Sequence, residues 1–174
     1  MIENKADLKY YLLEDSNFNK INTNWFIPKL KYFLKILLRN ESACSYRYIV
    51  CLRYYEYHLN NSKRNIYHKI LSYFYKFKLS RLGLKYNIQI SPNTCGYGLR
   101  LLHLSGGGGI LLNVNKVGNY CRFNAGVLIG NKGSDEYRPI IGNNVGFGPG
   151  AKAFGKIYIA LIPQHYYKIF FLST

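Results

Sequence analysis

Two stretches of the sequence, VGNYCRFNAGVLI at residues 117–129 and IGNNVGFGPGAKAFGKIYI at residues 141–159, carry one apolar residue at every sixth position. The residues of this register are Val117, Phe123, Ile129, Ile141, Phe147, Ala153 and Ile159. Ile129 and Ile141 are twelve residues apart, so the register resumes after one interruption. A period of six with glycines at a fixed phase is typical of a β-solenoid, in which each face turns one side chain inward. The pattern predicts a parallel β-helix.

The sequence up to Gly83 has a helical pattern instead, and the segments 6–13, 28–38, 42–59 and 63–82 are each predicted to be a helix. Gly83 is expected to end the last one. In the second and fourth helices the apolar residues form one face, as in packed amphipathic helices: Leu30, Phe33, Leu34 and Leu37, and Ile66, Ile70, Phe74 and Phe77. We therefore expect an α+β chain with a helical domain at 1–83, a β-helix at 84–160 and a divergent tail at 161–174.

The net charge of +16 suits an anionic partner, such as nucleic acid, a membrane surface or a phosphate-bearing cofactor. The abundance of Lys, Asn, Tyr and Ile, as in the product of an AT-rich genome, is a simpler explanation. Between residues 46 and 57, tyrosines alternate with Arg47 and Arg53, which loosely resembles a surface for stacking and phosphate contacts. Packed helices explain these residues without a ligand. Binding to nucleic acid or another anionic surface therefore stays an alternative function.

The sequence offers no sign of a metal site, an export signal or a membrane span. Its four cysteines have no metal-site spacing, although their even number would allow disulfides. Residues 1–18 lack the apolar core of a signal peptide, and the apolar stretch 25–38 is too short and too charged to cross a bilayer. We expect a cytoplasmic protein without a metal or a transmembrane segment.

His103 is the candidate catalytic residue, because it lies just ahead of a run of four glycines, Gly106 to Gly109. An imidazole titrates near neutral pH and is a natural general base for an alcohol nucleophile. The glycines let another molecule approach the backbone and offer unobstructed N–H donors. The other histidines, His58, His68 and His165, are expected on helix surfaces or in the tail.

The interruption of the six-residue register, at residues 131–140, predicts a loop extruded from the β-helix. Such loops often carry binding sites, and this one contains Tyr137 and Arg138 as candidate substrate contacts. A solvated charged loop is the alternative. The sequence has no P-loop, no HExxH and no Gly-x-Ser-x-Gly motif, so nucleotide hydrolysis, zinc peptidase and serine hydrolase chemistry have no supporting motif.

Five segments together resemble the serine acetyltransferase branch of the hexapeptide-repeat acyltransferases. They are residues 90–92, 102–106, 125–130, 139–145 and 148–152, and they follow the order of the family over about 70 residues. The resemblance implies a single-stranded, left-handed β-helix that is usually trimeric, with acetyl-CoA in a groove between neighbouring subunits. It also implies an O-acetyltransferase whose acceptor is L-serine, as in cysteine biosynthesis, or a sugar hydroxyl, as in polysaccharide modification.

The resemblance assigns roles to single residues of this sequence. His103 falls on the catalytic histidine of the family, which takes the proton of the acceptor hydroxyl. Five residues fall where the family lines the pantetheine and nucleotide arm: Gly126, Gly130, Gly150, Ala151 and Lys152. Lys152 would meet a phosphate.

Three departures from the family pattern bear on activity. Gln89 stands where an aspartate orients the catalytic histidine, and Arg138 stands where the extruded loop has a second histidine. Glutamine can hydrogen-bond an imidazole but cannot stabilise imidazolium by charge. The register also stops after Ile159, and the glycine-free residues 161–174 suggest a truncation, a frameshift or a short capping segment. A catalytically impaired paralogue or a scaffold protein is therefore the main alternative.

Overall fold

The computed structural model describes residues 1–21, 26–131, 133 and 137–160, in which four helices precede ten short strands. The helices are α1 (Lys5–Asn19), α2 (Phe26–Leu37), α3 (Glu41–Asn60) and α4 (Ile66–Tyr86). The strands are β1 (Ile88–Ile90), β2 (Arg100–Leu101), β3 (Ile110–Leu112), β4 (Lys116–Val117), β5 (Arg122–Phe123), β6 (Leu128–Gly130), β7 (Ile140–Ile141), β8 (Gly146–Phe147), β9 (Lys152–Phe154) and β10 (Tyr158–Ile159). The predicted α+β class is confirmed. The predicted tail lies outside the described residues.

The strands form three parallel sheets that stack the coils of a β-helix. Sheet A has the order β1-β3-β6-β9, sheet B has the order β10-β7-β4, and sheet C has the order β2-β5-β8. All seven residues of the six-residue register are buried, and the rings of Phe123 and Phe147 stack 5.3 Å apart in the core. The register therefore specifies the inside of a parallel β-helix of about three turns, as the sequence predicts.

Two long loops leave the β-helix, at opposite edges of sheet A. One connects β6 to β7 and is the interruption seen in the sequence. The other connects β2 to β3, because eleven residues separate Leu101 from Leu112 while their partners Phe123 and Ile129 in the next coil are six apart. This second insertion hides the first coil from a search for a period of six. We call it the His103 loop (residues 102–109).

Helix α3 joins α1 to the first coil through a buried ion cluster. The guanidinium of Arg53 is fully buried and donates to Asp15 of α1 (2.8 Å) and to Glu56 (3.0 Å). It also donates to the carbonyl oxygens of Cys95 (2.9 Å) and Gly96 (2.6 Å) in the first coil. The tyrosines at 46, 48, 55 and 57 are buried with it. These residues form the core of the helical part and are not available to stack on bases.

Several predictions about the helices are wrong. Gly83 lies inside α4, where a Cβ would approach the carbonyl oxygen of Ile88 to 2.7 Å, and the helix is capped by Asn87 in the left-handed conformation. Helix α1 continues through Asp15, whose carboxylate accepts from Arg53 and from the backbone N–H of Leu99 (2.9 Å). The apolar faces expected to pack in α2 and α4 are exposed.

Candidate active site

His103 lies at the start of the His103 loop, on the edge where sheet C leads into sheet A. Its backbone adopts the left-handed conformation with a φ of 57°, and its side chain is exposed. The loop closes into a turn behind it, since the backbone N–H of Gly106 donates to the carbonyl oxygen of His103 (2.9 Å). The imidazole is therefore presented to solvent at a fixed corner of the β-helix.

Glu41 connects the His103 loop to the helical part. It is the first residue of α3, and its carboxylate accepts from the backbone N–H of Leu104 (2.5 Å) and from the hydroxyl of Ser105 (3.3 Å). Glu41 could not be recognised as a site residue from the sequence, because an acidic residue directly after the N-cap Asn40 is fully explained by the helix dipole. Its contact with the loop spans 63 residues of sequence, so no local pattern could reveal it.

Three glycines form a column, one from each of three successive coils, and the first of them belongs to the His103 loop. Gly108, Gly126 and Gly150 have φ values of 89°, 75° and 72°. A Cβ on Gly108 would lie 2.9 Å from the Cα of Gly126, and a Cβ on Gly126 would lie 3.2 Å from the Cα of Gly150. This corner is therefore free of side chains over about 10 Å, given the usual spacing between parallel strands. Two of these glycines, Gly126 and Gly150, were predicted to contact the cofactor.

The glycine-rich part of the His103 loop also presents backbone donors. Gly107, Gly108 and Gly109 are exposed, and within the described residues their N–H groups donate to no protein acceptor. Open N–H groups beside a histidine can bind a carbonyl oxygen and the negative charge that develops on it during acyl transfer.

The outer face of sheet A carries a second column of side chains next to the glycines. The strand register aligns Gln89, Leu111, Leu128 and Lys152 across four coils. Gln89 and Lys152 are the exposed ends of this column, and Gln89 makes no hydrogen bond with His103 among the described residues. Lys152 lies three coils from Gln89, on the coil that contributes Gly150.

The remaining predicted site residues are separated from His103. The side chain of Ala151 is buried in the core, and Gly130 is buried beside the ring of Phe154. Tyr137 and Arg138 lie in the loop between β6 and β7, at the far edge of sheet A. The end of this loop is fixed by a hydrogen bond from the N–H of Asn115 to the carbonyl oxygen of Pro139 (2.9 Å). Of the predicted site residues, Gly126 and Gly150 stack on each other in the glycine column, and His103 belongs to the loop that contributes Gly108 to that column.

The cysteines and histidines elsewhere do not form a second reactive centre in the described part of the chain. All four cysteines are free and buried, and burial raises the pKa of Cys51 and Cys121 to about 11 and that of Cys95 to about 12. Thiols with such a pKa are poor nucleophiles at neutral pH.

Among the described residues there is no group of three His, Cys, Asp or Glu that could hold a metal ion. No described helix is long and apolar enough to cross a membrane.

Comparison with known proteins supports the fold. Neither a family model nor a curated protein matches this sequence. Among solved structures, the crystal structure of serine acetyltransferase from Brucella abortus strain S19 is similar, with a TM-score of 0.54 and 17% sequence identity over 88% of this chain. The chain shares its fold with a serine acetyltransferase. The match covers 57% of that protein, so this chain spans little more than half of its length.

Proposed function

We propose that this protein is an acetyl-CoA-dependent O-acetyltransferase in which His103 is the general base. The observation that carries this proposal is that the loop of His103 contributes Gly108 to a column that Gly126 and Gly150 continue. An extended, flexible thioester arm needs a groove without side chains, and it must end next to the group that activates the acceptor. The fold shared with a serine acetyltransferase supports the same chemistry.

In this mechanism His103 accepts the proton of the acceptor hydroxyl while its oxygen attacks the carbonyl carbon of the acetyl thioester. The new carbon–oxygen bond forms, the carbon–sulfur bond breaks, and His103 returns the proton to the departing sulfur. The N–H groups of Gly107, Gly108 and Gly109 are the candidate donors to the carbonyl oxygen. No covalent intermediate on the protein is needed, which agrees with the raised pKa of the buried thiols.

The residues around the glycine column fit the rest of acetyl-CoA. The exposed Lys152 follows Gly150 and Ala151 on sheet A, where an ammonium group can pair with a phosphate. Gln89, which makes no hydrogen bond with His103 in the described structure, is proposed to become its partner during the reaction in place of a carboxylate. Gly130 and Ala151 would shape the groove through the backbone, because both are buried.

Tyr137 and Arg138 are proposed to contact the acceptor across a subunit interface in a homotrimer. They lie on the opposite edge of sheet A from His103, so a single chain does not place them at its own imidazole. In a trimer with three-fold symmetry, one edge of each β-helix faces the other edge of its neighbour. L-serine and a sugar hydroxyl are the two acceptor classes to compare, and we place the reaction in the cytoplasm.

Release of coenzyme A tests this proposal directly. The purified chain is incubated with acetyl-CoA, a thiol reagent and either L-serine or a panel of sugars, and the variant His103→Gln is compared with His68→Gln, which changes a histidine of the helical part. We expect His103→Gln to lower kcat by roughly a hundredfold or more, as for loss of a general base, while His68→Gln keeps it. Equal rates for His103→Gln and wild type would refute the role of His103.

The alternative of a catalytically impaired paralogue or scaffold makes a different prediction in the same assay. It is motivated by Gln89 and Arg138, which replace a carboxylate and a histidine of the family pattern. The chain would then bind acetyl-CoA, as measured by calorimetry, without acceptor-dependent release of the thiol. Substitution of Gln89→Asp in that background would restore turnover if the missing charge is the cause.

A further inference from the structure

The outward face of α4 is apolar along nearly its whole length. Six large apolar side chains point away from α3, and each is between 54% and 82% exposed: Ile66, Ile70, Tyr73, Phe74, Phe77 and Leu84. The opposite side of the helix packs through Ser72, Leu79 and Leu82. Helix α4 is therefore apolar on two sides, and only one of them is covered by the protein.

Basic side chains border this apolar face on both sides. At 100° per residue, Lys69 and Lys76 fall on one flank, and Lys78 and Lys85 fall on the other. Arg81 lies within the face, with its guanidinium 5.6 Å from the ring centre of Phe77. Helix α4 contains no acidic residue. The face thus combines aliphatic and aromatic groups with positive charge alone.

Helix α2 repeats this composition. Its exposed apolar residues, with the one that follows the helix, are Leu30, Phe33, Leu34, Leu37 and Leu38. Lys29, Lys31 and Lys35 are interspersed among them, again without an acidic residue. Two helices of the same domain therefore present apolar and cationic groups together, which argues against a chance exposure of a single helix.

A second copy of this chain is a poor partner for such faces. Two α4 faces brought together would oppose like charges, and all but one of the described acidic side chains, that of Glu3, are engaged elsewhere. Asp15 and Glu56 are buried with Arg53, Glu41 holds the His103 loop, Glu14 accepts from Tyr120, and Asp7 caps α1. With 24 Lys and Arg against 8 Asp and Glu in the sequence, the complementary charge must come from another molecule.

We propose that the outward faces of α4 and α2 dock onto the surface of a bilayer that contains anionic lipids. A bilayer interface offers what the faces need together, since acyl chains accept the aliphatic and aromatic groups and the head groups neutralise the lysines. A nucleic acid would satisfy the charge but would leave Ile66, Ile70 and Leu84 without an apolar partner. The proposal is independent of acetyl transfer.

Vesicle co-sedimentation tests the proposal with the full chain. Binding is measured to vesicles of phosphatidylcholine alone and of phosphatidylcholine mixed with phosphatidylglycerol. The first variant combines Ile70→Ser, Phe74→Ser and Phe77→Ser, and the second combines Lys69→Gln and Lys76→Gln. The matched control combines Phe154→Ser and Tyr158→Ser, which remove exposed aromatic rings from the β-helix. Circular dichroism checks that every variant is folded.

We expect wild type and the control to bind the mixed vesicles and to bind phosphatidylcholine far more weakly. Each lysine removed should weaken binding about fivefold, and the triple serine variant should lose roughly tenfold or more. If the triple serine variant still binds the mixed vesicles, the proposal is overturned in favour of bulk electrostatics. The protein should then bind single-stranded DNA equally well. A lipid-free assembly, seen by sedimentation velocity and abolished only by the serine variant, would overturn it in favour of a protein partner.

Discussion

The carboxylate of Glu41, at the start of α3, accepts a hydrogen bond from the backbone N–H of Leu104, the residue directly after His103. Its other oxygen accepts from the hydroxyl of Ser105 at 3.3 Å. The helical part thereby fixes the segment that carries the proposed general base. Because Glu41 touches the loop and not the imidazole, it is a positioning residue.

The substitution Glu41→Gln should lower kcat by about tenfold to a hundredfold, since small misplacements of a catalytic group have effects of this size. The KM for acetyl-CoA should change little, because two of the three column glycines, Gly126 and Gly150, lie on coils that Glu41 does not touch. Steady-state kinetics separates the two parameters, and Glu41→Asp should recover part of kcat. If Glu41→Gln lowers the melting temperature together with kcat, and Glu41→Asp restores neither, then Glu41 has only a structural role.

The glycine column offers a prediction in which backbone strain and steric contact can be separated. Gly107 and Gly126 both have a φ of 75°, but only a Cβ on Gly126 meets other atoms, those of Gly150 at 3.2 Å. Alanine at either position should cost roughly 1 to 2 kcal/mol from the left-handed conformation. Gly126→Ala should cost more in chemical denaturation, and it alone should raise the KM for acetyl-CoA. Equal KM values for the two variants would argue that the thioester arm does not lie along this column.

Much of the β-helix could be predicted from the sequence, because each face of each coil needs an apolar residue at the same position. Val117 and Phe123 are six residues apart, one on each of two successive faces, and both are buried. The spacing along the sequence therefore identifies the buried positions directly. The first coil lies inside the predicted β-helix at 84–160 but outside the six-residue register, since the insertion between Leu101 and Leu112 shifts that register by five residues.

The helical part was predicted less well, because its arrangement depends on partners distant in sequence. The pattern of Ile66, Ile70, Phe74 and Phe77 marks an apolar face, but periodicity cannot tell which of two apolar faces meets α3. From the sequence, Gly83 could equally be a helix cap or a residue that allows the backbone of β1 to approach closely. For the candidate site, His103 and its glycines were predicted from the sequence and stay a prediction, while the contact with Glu41 could not be predicted.

The ion cluster around Arg53 should dominate the stability of the helical part. Burial alone would lower the pKa of Arg53, but the carboxylates of Asp15 and Glu56 outweigh it and raise the pKa above its ordinary value. The substitution Arg53→Ala leaves two buried carboxylates without their cation, at a cost of about 3 to 5 kcal/mol. Denaturant unfolding measures this cost, with the exposed Arg64→Ala as the control. A loss below about 1 kcal/mol, as for a surface ion pair, would contradict the cluster.

The histidine pair of the helical part predicts a dependence of stability on pH. His58 was expected on the surface, but it is buried, and its Nδ1 lies 2.9 Å from the Nδ1 of His68. One of these nitrogens must donate and the other accept, so two protonated rings would place N–H groups against each other. Burial first, and then the charge of His68, lower the pKa of His58 below its ordinary value of 6.5.

Because the folded state disfavours the protonated form of His58, the unfolded chain binds more protons in the window below about pH 6.5. The free energy of unfolding should therefore be fully retained above that pH and should fall as the pH drops through the window towards the lowered pKa of His58. Urea titrations between about pH 5 and pH 8 measure the slope. His58→Gln should flatten it. A slope that persists in His58→Gln would contradict the assignment of the pH dependence to this histidine pair.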